Sequence, residues 1–150
     1  MRKYVLDATC YIDASRDAGA WRALAQFTLW AAPRLWLSSV VAAELRAGAR
    51  SARDRKQLET TVLGPFVRRG RVLTPSAAAW DGLGLTLATL RRREGLQLGE
   101  VRRGFALDIL MAYSCRESGV VLVTRNARDM ARIRRVFTFE YAAPYPERPG

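Results

Sequence analysis

An α/β fold built on a mostly parallel sheet of about five strands follows from three features of this sequence. Short, continuous apolar runs recur along the chain, the pattern of strands buried on both faces rather than on one. Longer stretches with apolar residues at helical spacing separate them. Small capping and stopping residues stand where each helix should begin or end. Strands alternating with helices place the helices on both faces of a parallel sheet.

Tyr4, Val5 and Leu6 make the first predicted strand, and Leu35, Trp36 and Leu37 the second. Arg71, Val72 and Leu73 make a third, residues 120–123 a fourth, and Val136, Phe137 and Thr138 a fifth. Between the first two strands, residues 18–31 have helical length, and Pro33 closes them. Ser39 is placed to cap a helix that runs to Gly48 as its C′ residue. The span 52–67 reads as one helix, charged on one side with Leu58, Val62 and Phe66 on the other. Ser76 caps the next, which runs toward Glu94 with Trp80, Leu83, Leu87 and Leu90 on one stripe. Residues 104–118 form the most apolar helix, and Gly119 stops it before the fourth strand. The stretch 95–103 reads as a surface connection. Residues 140–150, with Pro144, Pro146 and Pro149, read as an irregular, mobile tail.

A chain of 150 residues is most simply one domain. Its apolar fraction of 49% and charged fraction of 26% are those of a globular protein. No apolar stretch reaches membrane-span length, and the first residues meet an acid too soon for a signal peptide, so a cytoplasmic protein without a membrane partner is expected. The absence of histidine rules out His-containing zinc sites and His-activated nucleophiles. Cys10 and Cys115 read as small core residues, since a structural disulfide is unexpected in the cytosol. The four tryptophans, Trp21, Trp30, Trp36 and Trp80, lie in apolar patterns that favour core packing over base stacking.

The formal net charge is +11, and every base except Lys3 and Lys56 is arginine. Arginine presents a planar fork suited to phosphate, so a nucleic acid is the expected partner. Codon bias in a GC-rich genome is the plainer source of so much arginine.

Against that positive background four acids stand out. Asp7 ends the first apolar run. Asp108 interrupts Phe105, Ala106 and Leu107 on one side and Ile109, Leu110, Met111 and Ala112 on the other. Glu44 lies about one turn into the helix after the second strand, and Asp129 follows the fourth strand by way of Thr124, Arg125 and Asn126. Ligands in open parallel sheets collect at the carboxyl ends of strands. Buried carboxylates need compensation, and a hard divalent cation with oxygen ligands would unite several of them. Mg²⁺ or Mn²⁺ there would polarise a phosphoryl oxygen and activate a water for in-line attack. Each acid also has a structural explanation. Asp7 would cap a turn, and Glu44 would pair with an arginine. Asp108 would sit in an intrahelical ion pair, and Asn126 with Asp129 would form a capping box.

These residues resemble the motifs of PIN-domain ribonucleases. Leu6 to Ile12, in the order Leu-Asp-Ala-Thr-Cys-Tyr-Ile, resembles the first motif, and Val40 to Gly48 the second. Residues 107–112 followed by 121–130 resemble the last two, in order and spacing over nearly the whole chain. The likeness is closest to the VapC toxins of toxin–antitoxin systems. It implies a PIN-like α/β/α sandwich and a Mg²⁺- or Mn²⁺-dependent endoribonuclease acting on RNA. It also implies a homodimer and a cognate antitoxin that inserts a C-terminal segment at the acidic site. Asp7 and Asp108 become the principal metal ligands, Glu44 a third acidic group, and Asp129 and Asn126 complete the pocket. Thr9 and Thr124 lend support. Ala8 departs from the usual hydroxyl residue after the first acid, and Met130 from the usual phenylalanine after the last. A noncatalytic RNA-binding module of the same fold and a metal-dependent DNA nuclease are the alternatives.

Overall fold

A computed structural model describes residues 2–150. Among them, five strands form one sheet: β1 (Lys3–Leu6), β2 (Leu35–Ser38), β3 (Val72–Leu73), β4 (Val120–Val123) and β5 (Tyr141–Ala142). Their spatial order is β3-β2-β1-β4-β5, and every pairing is parallel. The expected sheet was mostly parallel; it is wholly so. β1 and β4 form the longest pairing, from Lys3 opposite Val120 to Leu6 opposite Val123. Their carboxyl ends therefore finish side by side, at the point where the strand order reverses.

Alternation of side chains along the strands separates two cores. Val5, Leu37 and Leu122 face a cluster with Val41, Ile109, Met111 and Ile133. Tyr4, Leu6, Leu35 and Val123 face the other, with Phe27 and Ala31. The second cluster lies under α2 (Ala18–Ala31), while α3 (Ser39–Gly48), α7 (Arg103–Ser118) and α8 (Ala127–Arg134) cover the first. Helices on both faces make the α/β/α sandwich. Cys10 and Cys115 are buried free thiols, and burial pushes them up to about 11 and about 12, leaving them inert core residues.

Several local expectations need correction. A helix α1 (Ala8–Arg16), absent from the periodicity reading, follows β1 directly. The cap of α3 is Ser38, whose hydroxyl accepts from the Val40 N–H; Ser39 is already helical, and Gly48 is the last helical residue. The predicted helix over 52–67 is interrupted. It comprises α4 (Ala52–Leu58), a π-helical turn over Glu59–Leu63, and α5 (Gly64–Arg68). Pro65 has no amide to donate, and the Gly64 N–H reaches five residues back to the Glu59 carbonyl. Leu58, Val62 and Phe66 nevertheless pack on the core as their spacing implied. Ser76 caps α6 (Ala77–Glu94), and Gly119 ends α7 at φ +65°, where only glycine is unstrained.

The fifth strand is displaced from Val136, Phe137 and Thr138 to Tyr141–Ala142. Val136 and Phe137 still donate to the Ile133 carbonyl, so the chain is finishing a helical turn there. Phe137 and Phe139 are apolar because they plug the core, while ladder bonding begins at the Glu140 carbonyl. The tail expected over 140–150 therefore contributes a strand. Beyond it Tyr145 stacks on Phe27, which anchors the segment. Trp21 and Trp80 are 60% and 57% exposed, so the core assignment fails for these two. Trp30 and Trp36 pack against the cores as expected.

At Gly82 of α6 a Cβ would stand 2.3 Å from the Tyr113 ring of α7, which stacks in turn on Phe137. Gly82→Ala should destabilise the fold by about 1–3 kcal/mol through overpacking. Urea unfolding measures this: a lowered midpoint is expected, and an unchanged one would show that α6 and α7 do not meet as described.

Candidate active site

Asp7 is the first residue after β1, and its N–H still donates to the Val123 carbonyl of β4 (2.9 Å). It occupies the N-cap position of α1, yet its carboxylate makes no capping bond. Instead the Thr124 hydroxyl, the first residue after β4, donates to Asp7 Oδ2 at 2.7 Å. The same hydroxyl oxygen accepts from the Asn126 N–H at 3.1 Å. Thr124 thus ties together the two loops that leave the central strands. Asp7 is only 5% exposed.

Asn126 provides the next link. It precedes α8 at the N-cap position, but its side chain makes no cap bond, so the capping-box expectation is not met. Its amide nitrogen donates to Asp108 Oδ2 (3.2 Å) and to Asp129 Oδ2 (2.8 Å). One uncharged donor therefore holds two acids, one from α7 and one from α8. Asp108 is 9% exposed, and its partner lies on another element, which replaces the expected intrahelical ion pair. The half-buried Glu44 enters from α3.

Asp7, Glu44, Asp108, Asp129, Asn126 and Thr9 line one cleft of about 400 Å³. Thr124 lies beneath it, buried, acting through Asp7 and Asn126. Asp13, Arg102 and Arg125 also line the cleft, although the sequence reading did not single them out. Asp13 was detectable, since it stands four residues after Thr9 and therefore on the same face of α1. Arg102 pairs with Asp129 (3.3 Å) and Arg125 with Asp13 (3.2 Å), contacts between distant segments that no local pattern announces.

The field inside the cleft is negative. Burial raises Asp108, and the charges of Asp7, Glu44 and Asp129 raise it further, to about 7, against the opposing bond from Asn126. Burial and Asp7 likewise raise Glu44, with Arg103 opposing. Among the described residues no three acidic or thiol side chains form a ready cation cage. Like charges keep apart unless a cation lies between them, and Thr124, Asn126 and Arg102 each engage a carboxylate oxygen. The donor set is all oxygen, negative and poorly solvated. That chemistry fits a hard divalent cation and is a poor match for a soft one.

No protein-family model matches the chain, and no curated protein matches it significantly in sequence. Solved structures match it closely in shape. A chain of FitAB bound to an IR36 DNA fragment aligns with a TM-score of 0.72 at 16% identity, over 97% of this chain and 98% of that one. DNA-bound VapBC from Salmonella typhimurium gives a TM-score of 0.69 at 24% identity, over 97% and 100%. A toxin–antitoxin complex from Klebsiella pneumoniae gives 0.60 at 19% identity, over 97% and 100%. The fold is therefore the PIN-like α/β/α sandwich shared with these chains.

Asp108 titrates near 7 in the fold, against an ordinary 3.8. The folded chain holds this proton more tightly than the unfolded chain does. Its contribution to stability is complete below about pH 4 and lost as pH rises through about 7, a change of about 2–4 kcal/mol. Thermal melts without metal should show the melting temperature falling from pH 5 to pH 8. Mg²⁺ or Mn²⁺ should restore it at pH 8 and do little at pH 5. A flat or rising profile in metal-free buffer would contradict this. Separately, Thr124→Val removes a buried bond to a charged carboxylate and should cost about 1.5–3 kcal/mol, read as a lower unfolding midpoint at pH 7.

Proposed function

We propose that this protein is a metal-dependent endoribonuclease, the toxin of a toxin–antitoxin pair. The observation that carries the reading is the convergence of Asp7, Glu44, Asp108 and Asp129 on one cleft. Evolution of a strongly basic chain toward a pure polyanion binder would gain nothing from a negative pocket. The likeness in fold to chains of VapBC and toxin–antitoxin complexes supports the same reading.

Asp7, Asp108 and Glu44, with Asp129, would hold Mg²⁺ or Mn²⁺, which when bound would polarise the phosphoryl oxygen and activate a water. The chain's own residues prepare this site. Thr124 fixes the orientation of Asp7. Asn126 holds the Asp108 and Asp129 carboxylates toward one another. The exposed Thr9 hydroxyl lies at the cleft, where it can meet substrate. Arg102 and Arg125 bring positive charge to the rim, each on a side chain more than half exposed, and so attract phosphate to a pocket that would otherwise repel it. With no histidine in the chain, proton transfer falls to water and the carboxylates.

The partners in this reading are an RNA substrate, a cognate antitoxin and a second copy of the chain, all in the cytoplasm. Trp80 and Leu85 of α6 and the nearby Leu98 are large, apolar and exposed, as surfaces covered on association are. Among the described residues no helix is long and apolar enough to cross a membrane. DNA is the substrate to weigh against RNA, because FitAB and VapBC complexes of this fold are bound to DNA.

Purified protein, freed of copurifying partners, should cut total cellular RNA into discrete fragments with Mg²⁺ or Mn²⁺ and not with EDTA. Asp7→Asn and Asp108→Asn should each slow cleavage by roughly 100-fold or more while keeping the fold. Wild-type rates in either variant would overturn the assignment. Matched RNA and DNA oligonucleotides separate ribonuclease from DNA nuclease, and bound but uncut RNA under every metal condition would favour a noncatalytic binding module.

A further inference from the structure

Next to the acidic cleft lies a second one of about 570 Å³, which shares Arg102, Asn126 and Asp129 with it. Its remaining walls are Glu94 and three arginines, Arg128, Arg132 and Arg135. The three arginines follow one another at spacings of four and three residues along α8 and its C-cap, so they share a face. At 1.5 Å per residue their steps are about 6 Å and about 4.5 Å along the axis, so the three span about two helical turns.

These arginines differ in how firmly they are held. The Arg132 guanidinium bonds Glu94 at 2.7 Å and lies 5.0 Å over the Phe105 ring. Arg135 reaches the other Glu94 oxygen only at 3.5 Å, with its side chain 70% exposed. Arg128 is exposed. The groove is thus positive, with a fixed central fork on Arg132, a fork on Arg135 loosely paired with Glu94, and an exposed third on Arg128. Asp129 and Arg102 mark the point where the positive groove meets the negative cleft.

We propose that this groove carries the phosphates flanking the scissile bond on one side, with the polynucleotide strand laid along α8 away from the acidic cleft. The proposal rests on the nuclease reading and names where its substrate runs. Charge explains the division of labour. Flanking phosphates meet a groove in which four arginines outnumber two acids, while the phosphate at the cleft meets carboxylates and needs a cation between. An acidic peptide would also suit arginine, but the groove's junction with the carboxylate cleft, which would repel such a peptide, favours a polynucleotide.

Binding can be read without turnover. In an Asp108→Asn background with EDTA, a fluorescein-labelled oligouridylate of about twelve nucleotides is titrated by anisotropy across a salt series. Arg128→Ala with Arg135→Ala should weaken binding roughly tenfold and flatten the log–log salt slope by about 1.4, the loss of two phosphate contacts on a single strand. Arg50→Ala with Arg53→Ala, two exposed arginines outside both clefts, should change it far less. Equal losses from the two pairs would overturn the proposal. So would a polyglutamate peptide that binds as tightly as the oligonucleotide and depends equally on Arg128 and Arg135. Circular dichroism of each variant establishes that the fold is kept. Because no cleavage is measured, failure of the nuclease reading would show in the RNA digest and not here.

Discussion

Burial and mutual repulsion of the carboxylates gathered at one cleft are the constraint on which the organisation of this site depends. Asp108 is the clearest witness. It precedes the fully buried Ile109, Leu110, Met111 and Ala112 on its helix, and burial, joined by the negative charges of Asp7, Glu44 and Asp129, pushes its carboxyl up to about 7. A fold optimised for stability would place leucine or alanine there. Three of the four acids are held by hydrogen bonds from uncharged donors: the Thr124 hydroxyl on Asp7, and the Asn126 amide on Asp108 and Asp129. The parallel pairing of β1 with β4 makes those bonds possible, because it ends both strands at one place.

The same constraint reconciles two facts that look opposed. The chain carries a formal charge of +11, yet the cleft at the ends of its central strands is acidic. Arginines approach that cleft only at its rim, through exposed side chains such as Arg102 and Arg125, and leave its floor uncompensated. A polyanion drawn to the surface by arginine therefore meets a region that repels it. In the proposed reading, positive charge would bring the substrate close and the acidic floor would make its capture depend on metal.

Much of this is legible in the sequence. Asp7, Glu44 and Asp108 betray themselves because acids in apolar runs are rare, and the alternation of strands with helices places them at one end of a parallel sheet. Thr124 and Asn126 were legible as polar residues after β4, but not the direction of their bonds. Asn126 matches a capping box by local pattern, and only Asp108, eighteen residues away on another helix, draws its amide elsewhere. Arg102 and Arg125 acquire their place from long-range ion pairs and leave no local trace. The misplaced fifth strand has a related cause. Phe137 and Phe139 are apolar for burial between elements, and composition does not distinguish a core plug from a ladder. Trp21 and Trp80 sit on otherwise apolar helix faces but outside the area the sandwich covers, which periodicity cannot delimit.

The central claim is that the buried carboxylates make one cation site. Calorimetric titration of Mn²⁺ into the purified chain at pH 6 and pH 8, in buffers of differing ionisation enthalpy, tests it most directly. The account predicts binding that releases about one proton at pH 6 and markedly fewer at pH 8, because the cation displaces the proton held on Asp108. It further predicts that Asp108→Asn abolishes most of the heat. Binding with no proton release at pH 6, or binding unchanged in Asp108→Asn, would place the cation elsewhere and contradict the account.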